Sequence, residues 1–368
     1  MKHSVTIVDA IGIHSGMRYY LDSFREILER IDSVEVSILS NYSDSNEKPF
    51  FLNFYEGNAI SKLFRLTIGL LRLWTYSLTH YNRVFIILSY GTPVDALLIR
   101  ATWTKNRVID VHEVIKQGAE NKRFHRFLFS SIFANQKKVI YHSERARRLL
   151  EECGFHGDFF YVPHFEYNTD SDYDVRNISQ TIQNSIKKDK INLLFFGNIT
   201  YSKGIDLFIR SINDLKTEIK EKLNVIIAGK VLDDAFSNCD TTSEVFCVSI
   251  QHLNDDEMKF LYLQTDYVVL PYRQTSQSGV LEMAIHYQKP VVVSNIPYFS
   301  MMLNKYPSFG VITDLDQDSL RRTWVMVADR NALLTYYQED DIKKYKAREE
   351  DTFFVNAFST YLQGLKDS

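Results

Sequence analysis

INLLFFGNITYSKGIDLFI, residues 191–209, carries the signal from which the fold is argued. INLLFF (191–196) is a nearly continuous apolar run, as a strand buried on both faces of a parallel sheet must be. Gly197 marks a turn, and Lys203 and Gly204 open a helix. A helix N-terminus with a nearby ammonium favours a diphosphate. The same pattern also describes an ordinary strand–turn–helix with a surface lysine.

Four similar runs follow: NVIIA (224–228), VFCV (245–248), YVVLP (267–271) and PVVVS (290–294). Towards the N-terminus, SVTIVDA (4–10), VEVSIL (34–39), RVFIIL (83–88), RVIDV (107–111) and KVIY (138–141) alternate with helix-length segments. In one of these, Met17, Tyr20, Leu21, Phe24, Ile27, Leu28 and Ile31 recur by threes and fours, as one apolar helix face requires. Strand–helix alternation predicts an α/β chain with parallel sheets covered on both sides. A polar stretch near 168–189 divides two such series.

The predicted organisation is a first domain over 1–168, a connector over 169–190, a second domain over 191–345, and a helix over 346–368 that packs back on the first. Two doubly wound, Rossmann-like domains facing one another define a central cleft, with function in the strand-to-helix turns.

The 368 residues suit two domains, and 45% apolar with 24% charged residues is ordinary for a globular chain. Asp9 interrupts any N-terminal apolar stretch, and no run of 18 apolar residues occurs, so a cytoplasmic location is expected. Cys153, Cys239 and Cys247 form no CxxC pair. Net charge is −3, yet residues 51–150 hold sixteen Lys/Arg against six Asp/Glu. That asymmetry suggests an anionic surface as partner. The basic segments 60–78 and 121–138, with leucines and aromatics among the cations, suit either an anionic membrane or solvated covering helices. No nucleic-acid reading module accompanies them.

DYVVLPYRQTSQSGVLEMAIHYQKPVVVSNIP (266–297) is the second informative stretch. A strand ends at Pro271, a polar turn holds Ser276, Ser278 and Gly279, and a helix begins near Val280 with Glu282 in its first turn. Backbone amides at that helix start can hold phosphate or sugar oxygens. Glu282 can serve two ribose hydroxyls or complement the helix dipole.

Together these stretches resemble the retaining glycosyltransferase family 4, of GT-B fold. Gly197, Lys203, Gly204 and Glu282 match its pattern, whereas Asn198 replaces an arginine and Gln274 replaces the first of two carboxylates. The resemblance implies that Lys203 neutralises the leaving diphosphate, that Glu282 binds the ribose, and that the Ser278–Val280 amides approach diphosphate or sugar. Gln274 and Ser276 then tune sugar choice, Val248–Gln251 lie near the base, and Gly16, Asn198 and Gly229 line the donor side. Arg273 is the candidate to stand in for the missing arginine. In the first half, IGIHSG (11–16) matches a glycine-rich first turn, so Gly12 and His14 fall on the acceptor side. DVHEV (110–114) resembles the strand end carrying an active-site histidine, here His112, with Glu113 beside it; His142, His164 and Tyr272 are weaker candidates.

The implied activity moves a sugar from a nucleotide-diphosphate donor to a glycan or lipid-linked glycan with retention, in bacterial surface polysaccharide synthesis. Asp172 and Asp174 spell DxD in the connector, and Asp233–Asp234 and Asp255–Asp256 read as turn or helix-start acids, so no metal or cofactor is expected. Two alternatives remain at this level: an epimerase or hydrolase of the same shape, and a non-catalytic nucleotide-sugar-binding scaffold.

Overall fold

The computed structural model describes residues 3–12, 17–32, 34–42, 48–55, 57–104, 106–114, 132–133, 136–162, 172–275, 277–346 and 349–365. In the first sheet, β1 (His3–Asp9), β2 (Val34–Ser40), β3 (Val84–Tyr90), β4 (Arg107–Glu113), β5 (Lys138–Tyr141) and β6 (Asp158–Tyr161) are parallel and ordered β2-β1-β3-β4-β5-β6. Their apolar side chains, such as Ile7, Ile86, Ile109 and Val139, are wholly buried, because helices cover the strands. α1 (Arg18–Glu29) buries Tyr20, Leu21, Phe24, Ile27 and Leu28, the face its periodicity predicts. α2 (Ala59–Thr79) starts at Asn58, whose side chain accepts from the Ser61 amide at 2.9 Å, an N-cap. α3 (Pro93–Ala101) opens on a Thr92/Asp95 capping box, and α4 (Glu144–Glu152) on Ser143.

The second sheet comprises β7 (Ile191–Phe196), β8 (Leu223–Gly229), β9 (Phe246–Ile250), β10 (Tyr267–Leu270), β11 (Val291–Ser294) and β12 (Gly310–Thr313), again parallel, in the order β12-β11-β10-β7-β8-β9. Strand order therefore runs outward in both directions from the β7/β10 pair. The helices that accompany it include α5 (Gln180–Ser185), α6 (Ile205–Asn213), α7 (Asp255–Gln264), α8 (Gly279–His286), α9 (Pro297–Lys305), α10 (Gln317–Val327) and α11 (Glu339–Lys346). One core holds Phe195, Phe208 and Trp324, and the buried Trp324 indole donates to the Ser211 hydroxyl at 2.7 Å, so its polar atom is satisfied inside the packing. α12 (Glu349–Gly364) packs Phe354 against Phe24 and Phe358 against Phe160.

By contact density the chain forms two units, 1–165 with 349–368, and 166–348. The described part of the expected connector is integral to the second unit. Ile178 and Ile182 are buried there, the Asn177 side-chain Nδ2 donates to the Asp256 carboxylate at 2.7 Å, and the Ser179 backbone amide donates to the Glu257 carboxylate at 3.2 Å. Polarity marked the segment as a linker, but two well-spaced isoleucines suffice to seat it. Among the described residues, no helix is long and apolar enough to cross a membrane.

Candidate functional site

In an open parallel sheet, ligands bind beyond the carboxyl ends of the strands where strand order reverses. In the second unit that point lies between β7 and β10, and both sequence motifs follow those two strands. The turn after β7 runs from Gly197 through a single helical turn, Tyr201–Lys203, to Gly204. The turn after β10 runs from Pro271 to Ser278.

The two turns are pinned together. Gly204 has φ +68°, and a Cβ there would lie 1.9 Å from the Pro271 carbonyl oxygen. The Arg273 amide donates to the Ser202 carbonyl at 2.9 Å. Gly229, at the end of β8, comes as close to the Gly197 backbone: a Cβ would stand 1.9 Å from the Gly197 carbonyl oxygen. Gly197 itself, at φ +100°, faces Val280 in the first turn of α8, 3.5 Å from where a side chain would begin. Three of the glycines picked out by sequence are thus required by conformation or close approach.

Lys203 lies with its ammonium 3.7 Å from the ring centroid of Tyr272, a cation–π contact on a buried ring. Burial pushes the Tyr272 hydroxyl well above its ordinary range. Ser278 caps α8, accepting from the Leu281 amide at 3.2 Å. The Gly279 and Val280 amides stand at the helix start, where no intrahelical acceptor is available. Glu282 is 1% exposed; it accepts from the Tyr345 hydroxyl of α11 and, at 3.4 Å, from the Tyr298 hydroxyl of α9. Asn198 is exposed and Gln274 half-buried. Ser276, His14, Gly16 and His164 lie outside the described residues, as does most of 121–138.

One expectation is corrected here. Arg273 is committed elsewhere: its guanidinium donates to both carboxylate oxygens of Asp206 at 2.7 Å and to the Tyr201 carbonyl at 2.6 Å, and it stacks 3.8 Å from the Tyr201 ring centroid. Burial opposes ionisation of Asp206, but Arg273 outweighs it and holds the carboxyl below its ordinary value. Arg273 therefore ties α6 to the β10 turn, and its charge is already matched. Val248 sits within the edge strand opposite Ile227, whereas Ile250, opposite Gly229, stands at the carboxyl end where a ligand would lie.

In the first unit, strand order reverses between β1 and β3. Asp9 ends β1 and accepts from the Gly12 amide at 2.8 Å, the Ile11 amide at 3.2 Å and the Tyr90 hydroxyl at 2.9 Å. A Cβ on Gly12 would collide with the Asp9 carboxylate, so glycine is needed for this turn. Burial raises the Asp9 carboxyl to about 6, against those hydrogen bonds. Glu113 closes β4 beside Tyr90 of β3.

His112 also lies at the end of β4, but it is 4% exposed: its ring meets Tyr20 edge-on at 4.4 Å and stacks on His142 at 4.6 Å. Burial lowers its pKa, only partly offset by Asp110. A buried charged cluster lies beneath it. Asp110 accepts from the Tyr20 hydroxyl at 2.7 Å and from His142 Nε2 at 2.7 Å. His142 Nδ1 also faces the Val162 carbonyl at 2.8 Å. Both His142 ring nitrogens thus face oxygen atoms, one of them a carboxylate oxygen of Asp110. Burial alone would raise the Asp110 pKa, but the two histidines bring it below the ordinary carboxylate range. Asp110, His112 and His142 place metal-ligating atoms within 4.8 Å of one another. However, the two histidine rings stack at an interplanar angle of 24°, and both His142 nitrogens already face the Val162 carbonyl and Asp110. Sequence reasoning passed over Asp9, Tyr20 and Asp110; a carboxylate inside the apolar run RVIDV is the one signal that could have revealed the cluster.

Residues 178–320 match the family described as Glycosyl transferases group 1. That span contains both pinned turns. The chain is 22% identical over 245 residues to an uncharacterized 41.2 kDa protein in the cps region of Klebsiella pneumoniae, covering 65% of this chain and 66% of that protein, just short of two thirds. In fold it is similar to sucrose-phosphate synthase from Thermosynechococcus elongatus, with TM-score 0.70 and 13% identity over 100% of both chains. It is also similar to WaaG, a glycosyltransferase involved in lipopolysaccharide biosynthesis, with TM-score 0.66 and 14% identity over 98% of this chain and 100% of that one. Residues 178–320, which span the β7 and β10 turns, thus match a glycosyl transferases group 1 domain, and the two doubly wound sheets are those of the GT-B fold.

Proposed function

We propose that the protein transfers a sugar from a nucleotide-diphosphate sugar to a glycan or lipid-linked glycan, with retention at the anomeric carbon and without a metal. The observation that carries this reading is the pinned pair of turns at the β7/β10 switch point, with Lys203 and the first amides of α8 around it. The diphosphate sits against Lys203 and the Gly279 and Val280 amides, where Gly197 leaves room for close approach. Glu282 accepts ribose hydroxyls, which displace the long Tyr298 contact while Tyr345 keeps the carboxylate oriented.

As the glycosidic bond to the diphosphate breaks, the acceptor hydroxyl attacks from the same face. Its proton passes to the departing phosphate oxygen, so no protein nucleophile is needed. Catalysis then rests on orientation and on stabilising diphosphate charge. In this reading Asp9, Glu113 and the cluster under His112 shape the acceptor side, with His112 a positioning residue. Occurrence of the Klebsiella relative in a cps region supports a surface polysaccharide as the product.

A thermal-shift panel of nucleotides and nucleotide sugars, with and without EDTA, tests the donor site. A ligand at a hundred times its dissociation constant adds about 2.7 kcal/mol, a readable shift. Expected is an EDTA-insensitive shift from one nucleotide class, lost in Glu282→Ala. No shift from any nucleotide, with the protein folded, would leave the donor site unsupported. Free sugar released from the donor without acceptor would instead indicate hydrolysis.

A further inference from the structure

α2 is unusual for a covering helix. Its 21 residues bury only Gly69, Leu73 and Ser77. On the opposite face Ile60, Leu63, Phe64, Leu71, Trp74 and Leu78 stand at helical spacings of three, four and seven from one another, and they are 38–80% exposed. An apolar stripe on the solvent side of an amphipathic helix is the reverse of what core packing selects. The helix contains Lys62, Arg65 and Arg72 and no acidic residue. More exposed aromatics gather at its C-terminal end: Tyr81 is 61% and Trp103 64% exposed, and the Trp103 amide donates to Ser77 at 2.8 Å, which fixes it beside the helix. A hollow of about 570 Å³ beside α2 is lined by Lys48, Arg72, Phe50 and Tyr76 among others.

We infer that the outer face of α2 docks on an anionic lipid bilayer, with the leucine and aromatic stripe entering the headgroup–acyl boundary and the cations meeting lipid phosphates. Apolar side chains flanked by tryptophan, tyrosine and basic residues are the chemistry of an interfacial helix. A second copy of the chain fits less well. A two-fold contact would lay this face on its own image, bringing cations together with no carboxylate on the helix to pair with them. The inference stands on α2 alone and does not depend on the donor site.

The test is co-sedimentation of the full chain with vesicles of phosphatidylcholine alone and of phosphatidylcholine mixed with phosphatidylglycerol, together with analytical ultracentrifugation without lipid. Expected is binding to the mixed vesicles that falls with added salt. Lys62→Gln/Arg72→Gln should lower the partition coefficient about fivefold per charge removed. Phe64→Ser/Leu71→Ser should lower it at least about tenfold while leaving melting temperature and nucleotide shifts unchanged, since both side chains are exposed. Binding to neither vesicle, equal binding to both, or a lipid-free dimer abolished by Phe64→Ser/Leu71→Ser would each overturn the inference.

Discussion

Gly204→Ala probes the geometry on which the proposed donor site depends. At φ +68° an L-residue costs about 1–2 kcal/mol more than glycine. The new methyl would begin 1.9 Å from the Pro271 carbonyl oxygen, whereas such atoms rest at about 3.5 Å, so the two turns must part by more than ~1 Å. Parting them weakens the Arg273 amide bond to Ser202 and the Arg273–Asp206 bridge, each worth roughly 0.5–1.5 kcal/mol. The total is about 3 kcal/mol, a fall of roughly 6–12 °C in melting temperature for a unit of this size. Donor affinity should fall as well, because Lys203 immediately precedes the displaced glycine. Gly364→Ala is the matched control: nothing lies within 4 Å of its added carbon, so it should be neutral or slightly stabilising. Differential scanning calorimetry and nucleotide titration read both effects. Were Gly204→Ala to melt with the wild type and bind nucleotide equally well, the pinned turns would not be what organises the site.

Steady-state kinetics of Lys203→Ala should show kcat lowered by about a hundredfold or more, the scale of a lost charge-stabilising group. Arg273→Ala should cost much less, together with about 1 kcal/mol of stability, because its half-screened charge is held by Asp206; an equal loss of kcat would return Arg273 to the diphosphate. Asp9 binds its proton more tightly folded than unfolded, with a carboxyl raised to about 6. Ionising it disfavours the fold, so stability should fall by about 3 kcal/mol as pH rises from about 4 to 6, then level off. Asp9→Asn keeps an acceptor oxygen and should remove that slope in pH-dependent urea unfolding; an unchanged slope would reject the assignment. Asp110 has the opposite sign: its pKa is lowered, so its stabilisation is present above the ordinary carboxylate value and lost on acidification through the depressed one. Asp110→Asn takes a buried carboxylate from the Tyr20 hydroxyl and His142 Nε2 and should cost about 1–3 kcal/mol in urea unfolding at neutral pH; an unchanged midpoint would reject a structural role for the cluster.

Apolar runs bounded by glycine and proline made the strands legible, because parallel strands are buried on both faces and tolerate few polar residues. Asp110 shows the limit of that signal. Its partners Tyr20 and His142 lie 90 and 32 residues away, and only the order β1-β3-β4-β5 brings their helix and strand ends together. The same holds for Arg273, whose partner Asp206 is 67 residues earlier. Local sequence showed a basic residue in a turn at the strand end, not the carboxylate opposite. For the span Val248–Gln251 the strand was legible, but only pairing with β8 shows that Ile250 is the residue opposite Gly229 at its carboxyl end.

The fate of Arg273 changes how the missing arginine at Asn198 should be understood. A donor site with two cations would balance the two charges of a diphosphate directly, and sequence alone invited the view that Arg273 had moved into that role. The bidentate bridge to Asp206 removes its net charge locally, so it contributes rigidity in place of charge. Under the proposed function, Lys203, set over the buried ring of Tyr272, would share the diphosphate with uncharged donors, the Gly279 and Val280 amides. Such donors act through fixed direction, which is worth most where the backbone cannot relax. Gly204 against Pro271 and Gly229 against Gly197 are the close backbone approaches that hold the two turns rigid, and in the proposed donor site that rigidity would offset the cation Asn198 lacks.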